Sequence, residues 1–143
     1  MKYSLFIEPN REEEVIIYAH EKNDLVFKIE ELLVKEKEAL FGYSENEIIK
    51  LDPANILCFE ANSGKVFAIT ANGKFSVKLR LYQLEEMFPK DFLKINQSCL
   101  IRVDKIKRFN SSIGGSLTVT LEGGYKDYIS RRQLKKVKER IGF

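Results

Sequence analysis

The chain has 143 residues, 44% hydrophobic and 31% charged, a composition typical of a small globular protein with one compact domain. No apolar run approaches the roughly 20 residues that span a bilayer, and the N-terminus becomes acidic too early for a signal peptide. Both features argue against a membrane-spanning or secreted protein and predict a cytoplasmic one. Residues 1–50 have a net charge of −5 and residues 51–143 one of +8. This segregation indicates an anionic partner for the C-terminal part, the alternative being a basic surface that only keeps the protein in solution.

The first 44 residues form an acidic extension. Residues 3–7 and 15–18 have the composition of two strands, separated by a charged turn. From about Asp24 the apolar positions follow a helical period, with Asn23 or Asp24 as the cap. The pattern predicts a ββα unit with too few apolar residues to stand alone. It must therefore pack on the rest of the chain or on a second copy.

Short strands dominate the middle of the chain. Strand patterns cover residues 39–43, 47–51, 56–61, 66–70 and 75–79. Asp52-Pro53 marks a turn that can open into one turn of helix. The pair Asn72-Gly73 is a strong hairpin signal between two strands. Leu81, Leu84 and Met87 then follow helical spacing until Pro89, and this stripe is predicted to be core.

Residues 92–107 combine two apolar segments with a polar island, Asn96-Gln97-Ser98. The pattern predicts two short buried segments that hold a polar loop between them. Asn and Gln side chains carry a donor and an acceptor side by side, which is the chemistry that contacts base edges. An ordinary turn is the alternative interpretation.

The C-terminal residues predict two further strands and a basic helix. Residues 117–121 and 125–129 are separated by a glycine turn, and a strand over residues 106–109 precedes them. Ser130 and Gln133 have the spacing of a capping box, so a helix should begin at Arg131 and end near Gly142. Two arginines in the first turn lie at the positive end of the helix dipole, which is unfavourable. The placement is explained if an anion such as a phosphate binds there.

Taken together, the elements predict a β-rich α+β protein with three short helices. No catalytic site is expected, because the single histidine, His20, lies in the acidic extension and is predicted to be a surface residue. Cys58 and Cys99 lack a neighbouring base and are expected to be buried free thiols. No zinc spacing, P-loop or dinucleotide fingerprint is present, so no metal or cofactor is predicted.

A family resemblance rests on the spacing Phe92-x-x-Ile95-x-x-Ser98-x-x-Ile101-x-x-x-Lys105-Ile106, followed by a hairpin and Ser130-Arg131-Arg132. With residues 55–61 and 80–85, this pattern resembles the LytTR-type DNA-binding domain of bacterial transcription regulators, over residues 45–143. The resemblance implies an elongated β-fold of several small sheets and sequence-specific binding of double-stranded DNA. Two departures bear on base preference and not on the fold. Family members often have a basic residue near Asn96-Gln97, and an Asn where this chain has Arg102.

Three polar or basic segments are expected to converge on one face: residues 62–65, residues 96–98 and the junction at residues 130–132. Carried over by position, the resemblance puts the base-contacting residues at or near Lys65, Gln97 and Arg132. Arginine suits guanine and glutamine suits adenine, whereas the flexible Lys65 could contact phosphate alone. The supporting and phosphate-contacting candidates are Asn62, Ser63, Asn96, Ser98, Arg102, Lys105, Ser130, Arg131 and Lys135.

The predicted organisation is therefore a ββα extension over residues 1–44 and a LytTR-like domain over residues 45–143. Family members often carry a receiver domain ahead of the DNA-binding part, and 44 residues are too few for one, so a stand-alone regulator is expected. The extension is expected to contribute a homodimer contact. The competing hypothesis is a protein–protein module that uses the basic face and exposed strand edges.

Overall fold

The computed structural model describes residues 2–37, 39–111 and 114–143, with the side chains of residues 34–37 left aside. The chain divides into two compact units, residues 1–38 and residues 39–143. No helix in the described part of the chain is long and apolar enough to cross a membrane.

The first unit contains one helix, α1 (Asp24–Lys37). Asn23 caps it, since its Oδ1 accepts a hydrogen bond from the Val26 amide at 3.1 Å. The prediction of a ββα unit is wrong in its first two elements, because residues 2–23 form no strand. A hairpin of two strands without a third strand or a covering helix is marginal in water. Side chains such as Leu5 and Ile7 remain exposed instead.

The second unit contains a large antiparallel sheet of seven strands. Its spatial order is β2-β1-β5-β4-β3-β7-β6. The strands are β1 (Leu40–Tyr43), β2 (Ile48–Leu51), β3 (Ile56–Asn62), β4 (Lys65–Thr70), β5 (Gly73–Val77), β6 (Phe92–Asn96) and β7 (Cys99–Arg102), and α2 (Leu81–Met87) lies between β5 and β6 in the chain. β1 pairs with β2 and β5, so it belongs to this sheet although the sequence analysis placed it in the extension.

A second antiparallel sheet has three strands, β8 (Ile106–Ser111), β9 (Leu117–Leu121) and β10 (Lys126–Ile129), in the order β10-β9-β8. The helix α3 (Arg131–Ile141) follows β10 directly. The prediction of a β-rich α+β fold with three short helices is therefore confirmed. The multi-sheet β-fold that the resemblance implied consists of one sheet of seven strands and one of three.

Two hydrophobic clusters hold the second unit together. The first lies around Phe59, Leu84 and Phe92 and packs α2 against the large sheet. The second joins β3, β6 and β7 of the large sheet to the small sheet and to α3, with Ile95, Val119 and Val137 fully buried. Because this second cluster spans both sheets and the last helix, it fixes where α3 begins relative to β6.

Local signals in the sequence agree with the structure at most turns. Asn72-Gly73 joins β4 to β5 as a hairpin, and a short 3-10 helix begins at Pro53. Gly142 ends α3 with φ of 94°, and its amide donates to the Lys138 carbonyl at 2.8 Å. The predicted capping box at Ser130 is not formed, because that side chain makes no capping hydrogen bond.

Candidate nucleic-acid interface

Two hairpin turns project from the same end of the large sheet. The β3–β4 turn covers residues 62–65 and the β6–β7 turn lies between Asn96 and Cys99. β3 and β7 are antiparallel neighbours with Glu60 opposite Cys99. Beyond that pair, the Ala61 amide donates to the Ser98 carbonyl at 2.8 Å. The two turns therefore lie side by side.

The junction between β10 and α3 lies beside the β6–β7 turn. The Ser130 amide donates to the Ile95 carbonyl at 2.8 Å, and the Asn96 side-chain amide donates to the Tyr128 carbonyl at 2.9 Å. Residues 62–65, 96–98 and 128–132, called the loop row below, therefore lie next to one another in that order. The bond from Ala61, which precedes the first segment, joins it to the second, and Asn96 joins the second to the third. Segments far apart along the chain meet because of the β3–β7 pairing and the docking of α3.

The three side chains predicted to contact bases are all exposed. Lys65 begins β4, Gln97 occupies the β6–β7 turn, and Arg132 lies in the first turn of α3. Within the described residues, none of the three side chains makes an ion pair or a hydrogen bond. Each one can therefore donate to a ligand without breaking an internal contact.

The supporting candidates divide by burial. Exposed members are Asn62, Ser63, Ser98, Arg131 and Lys135, and Ser130 is half-buried at the junction. Ser63 and Gly64 have φ of 53° and 76° and form the tight β3–β4 turn. Asn62 and Ser63 are also hydrogen-bonded to each other at 3.1 Å. Arg131 and Lys135 carry the positive charge at the start of α3.

Two predicted contacts are corrected by the structure. Asn96 is only 1% exposed, and both polar atoms of its side chain are used internally. The Arg102 side chain is 11% exposed and lies 2.8 Å from Asp104 Oδ1 through its Nε. Its Nη1 donates to the Pro53 carbonyl at 2.9 Å. Both side chains were predicted to contact DNA because they are polar. In the structure they bond to groups of the protein itself and are not exposed to a ligand.

Lys105 lies outside the loop row. It follows Arg102, at the end of β7 opposite the Cys99 end that enters the β6–β7 turn. Its Nζ is 3.6 Å from the Glu122 carboxylate, an ion pair that joins it to the end of β9. Lys105 therefore does not share a surface with Gln97 in the way the sequence analysis expected.

A polar cluster lies next to the loop row, around the Tyr125 hydroxyl. This hydroxyl is 3.3 Å from Glu60, 3.5 Å from Asp127 and 3.7 Å from the Cys99 sulfur. Burial raises the pKa of Tyr125, while a hydrogen bond with Cys58, followed by burial, raises the pKa of Cys99. Both cysteines are free and buried, as predicted. A protonated buried thiol is a poor nucleophile, so this cluster serves to pack β10 against β3 and β7.

Two exposed side chains on β10 lie in or beside the loop row and are not among the predicted contact residues. Lys126 and Tyr128 are exposed, and Tyr128 is 56% exposed at the end of the strand nearest the junction. Ile129, the next residue, is buried. Strand alternation between these neighbours was the available signal, because successive side chains of a strand point to opposite faces.

Known families and proteins include relatives of this chain. Residues 46–142 match the family described as the LytTr DNA-binding domain. A relative from Staphylococcus aureus strain NCTC 8325, named an uncharacterized HTH-type transcriptional regulator, is 35% identical over 99% of this chain and 98% of its own length. A relative from Staphylococcus aureus strain MW2, also named an uncharacterized HTH-type transcriptional regulator, is 34% identical with the same coverage.

The fold is also shared with a solved structure. A LytTr DNA-binding domain from Bacillus cereus matches with a TM-score of 0.69 at 18% identity, over 74% of this chain and 99% of that one. The family match, the relatives that span the whole chain and the shared fold together establish that this protein belongs to the LytTR family of DNA-binding domains.

Proposed function

We propose that this protein is a transcription regulator that recognises a specific double-stranded DNA sequence through the loop row. The observation that carries the proposal is the convergence of three exposed, internally unpaired donor side chains on hydrogen-bonded neighbouring segments. Lys65, Gln97 and Arg132 come from three different segments, so together they can address bases at different positions of one site. The charge of +8 on residues 51–143 supports an anionic partner of this kind.

The proposed roles follow from side-chain chemistry. Arg132 carries a planar guanidinium that pairs with O6 and N7 of guanine together. Gln97 pairs with adenine through its amide oxygen and nitrogen. Lys65 contacts either a base or a phosphate, since its ammonium is a point charge on a flexible stem. Arg131 and Lys135 contact phosphates and set the position of α3 on the duplex.

Two further properties belong to the same proposal. The protein acts as a homodimer through residues 1–38, where apolar side chains such as Leu5, Phe6 and Ile7 are exposed, and it binds paired half-sites. It works in the bacterial cytoplasm, where DNA is accessible and the free thiols of Cys58 and Cys99 persist in reduced form.

The experiment is selection of bound duplexes from a random pool, followed by titration of the selected duplex against a scrambled one. We expect a clear preference for the selected sequence. The logarithm of the association constant should fall with the logarithm of salt concentration by about 0.9 for each phosphate contact. If binding is weak, insensitive to salt or equal for both duplexes, sequence-specific DNA binding is the wrong function.

A further inference from the structure

We infer that Asn96 is a positioning residue that holds the β6–β7 turn and the start of α3 in one fixed arrangement. The inference rests on the proposed function, because it assigns to Asn96 the spacing between Gln97 and Arg132 on the duplex. Asn96 itself contacts no DNA in this proposal. Its role is to connect the two segments that present the contacting side chains.

The hydrogen bonds of Asn96 have a distinctive geometry. Its Oδ1 accepts from the Ser98 amide at 2.8 Å, which closes the turn that carries Gln97. Its Nδ2 donates to the Tyr128 carbonyl at 2.9 Å. Tyr128 lies three residues before Arg131, the first residue of α3 and the neighbour of Arg132. One amide side chain, 1% exposed, thus connects a turn on the large sheet to a junction on the small sheet.

The chemistry requires an amide of this length. The side chain must accept from one backbone amide and donate to one backbone carbonyl. A carboxamide offers an uncharged acceptor and an uncharged donor on two atoms of the same carbon, so one short side chain can make both bonds. Leucine has a similar volume but satisfies neither group, and alanine leaves space that water can enter. Backbone groups left without a partner near the surface become free to move or to bond with water.

The functional consequence concerns specificity more than affinity. Base recognition depends on holding Gln97 and Arg132 at a constant separation, because each hydrogen bond with a base tolerates little displacement. Phosphate contacts made by the flexible side chains of Arg131 and Lys135 tolerate more displacement. Loss of the Asn96 bonds should therefore lower the preference between duplexes while most non-specific binding remains.

The test uses the full-length chain with Asn96→Leu and, as a second variant, Asn96→Ala. The matched control is Asn110→Leu, an exposed asparagine on β8. Amide hydrogen exchange is measured without DNA, at Ser98 and Ser130 in the loop row and at Leu121, whose amide is bonded to the Tyr125 carbonyl. Binding to the selected and scrambled duplexes is measured in parallel, with and without Arg132→Ala.

We expect exchange at Ser98 to accelerate by about tenfold, because its amide loses the Asn96 acceptor. Exchange at Ser130 should also accelerate, because its bond to the Ile95 carbonyl opens more readily once Asn96 no longer holds Tyr128, with Leu121 unchanged. The ratio of selected to scrambled affinity should also fall about tenfold, and Arg132→Ala should cost less in either Asn96 variant than in the wild type. Unchanged exchange in a folded variant overturns the inference, and so does an equal loss for both duplexes. If the wild-type chain prefers no duplex, the proposed function fails on its own, and the exchange data still show whether Asn96 holds the two segments.

Discussion

At the scale of single residues, adjacent positions in the chain have opposite roles. Asn96 is buried and Gln97, its neighbour, is exposed. Arg102 is enclosed while Arg131 and Arg132 are free at the start of α3. The family resemblance placed Gln97 and Arg132 in the interface, and polarity and charge added Asn96, Arg102 and Arg131. The distinction comes from strand pairing and from the docking of α3, neither of which is a property of one residue type.

Arg132 and Lys135 provide a direct contrast between base and phosphate contacts. Arg132→Ala should weaken binding to the selected duplex by about 1–3 kcal/mol and relax the preference at one base pair. Lys135→Ala should weaken binding to all duplexes alike and reduce the salt slope by about one unit. Fluorescence titration of both variants against selected and scrambled duplexes separates these effects. Equal, sequence-independent losses would remove Arg132 from the base-contacting set.

Arg102 is expected to affect folding and leave DNA preference unchanged. Its guanidinium bonds the Pro53 carbonyl, pairs with Asp104 and lies 5.6 Å from the ring centroid of Phe92. Arg102→Ala removes these contacts, so the free energy of unfolding should fall by about 2 kcal/mol. Urea denaturation measures the change, and Arg108→Ala, at an exposed position on β8, is the control. If fully folded Arg102→Ala shows a changed ratio of selected to scrambled affinity, Arg102 contacts DNA after all.

At the scale of secondary structure, turns and helix ends could be predicted from sequence wherever the residues that form them are adjacent in the chain. The Asn72-Gly73 hairpin, the helix that ends before Pro89 and the Gly142 stop all follow from a few adjacent residues. Residues 3–7 and 15–18 failed as strands because a strand needs neighbours, and composition alone does not supply them. The unformed capping box at Ser130 shows a similar limit, since the Ser130 amide that the Gln133 side chain would accept from already donates to the Ile95 carbonyl.

The loop row was predictable only in part for the same reason. Its three segments were identified from polar and basic residues between apolar runs. Their adjacency depends on the pairing of β3 with β7, which lie about forty residues apart, and on the second hydrophobic cluster. The family resemblance supplied that convergence, because periodicity and turn chemistry contain no information on non-local pairing.

The helices of the second unit also bear on how DNA is contacted. A helix-turn-helix needs two helices joined by a short turn. In the described residues, the strands β6 to β10 separate α2 from α3 along the chain. The relatives carry names of the HTH type, yet in this chain α2 packs on the first hydrophobic cluster through Leu84. The proposed contact with DNA therefore uses turns and the start of one helix.

Gly42 is a position where the large sheet depends on one small residue. A Cβ added at Gly42 would lie 2.8 Å from Leu51 Cδ1 and 2.8 Å from Phe75 Cβ, closer than van der Waals contact. Gly42→Ala should therefore lower the free energy of unfolding by about 1–3 kcal/mol through overpacking between β1, β2 and β5.

The double variant with Leu51→Val checks this explanation. If crowding is the cause, Gly42→Ala should cost less when Leu51 is already shortened, and the difference is the coupling energy of a double-mutant cycle. Urea denaturation of the four proteins measures it. Additive costs would mean that Leu51 is not the source of the crowding, and an unchanged stability in Gly42→Ala would mean that the sheet accommodates the methyl group without strain.

At the scale of the whole molecule, the two units differ in charge and in surface. The sequence of residues 1–38 carries 6 Lys or Arg and 10 Asp or Glu, whereas residues 39–143 carry 18 and 11. The acidic unit also exposes several large apolar side chains, including Tyr3 and Tyr18, each 92% exposed. An acidic surface does not favour DNA, and apolar side chains on it favour protein contact. These properties assign different partners to the two units.

The last prediction concerns the homodimer. If residues 1–38 form the contact between copies, the wild-type chain should sediment as a dimer at tens of micromolar. Leu5→Ser with Ile7→Ser should then shift it to monomer, because both side chains are exposed in one copy and each loses apolar area on association. The control is Ile48→Ser with Tyr82→Ser, which removes two exposed apolar side chains from residues 39–143. Binding to a single half-site should survive in the monomeric variant, while the added affinity for paired half-sites disappears, because two linked contacts act at a high effective concentration. A wild-type monomer, with and without DNA, contradicts the dimer and leaves the loop row to act through one copy.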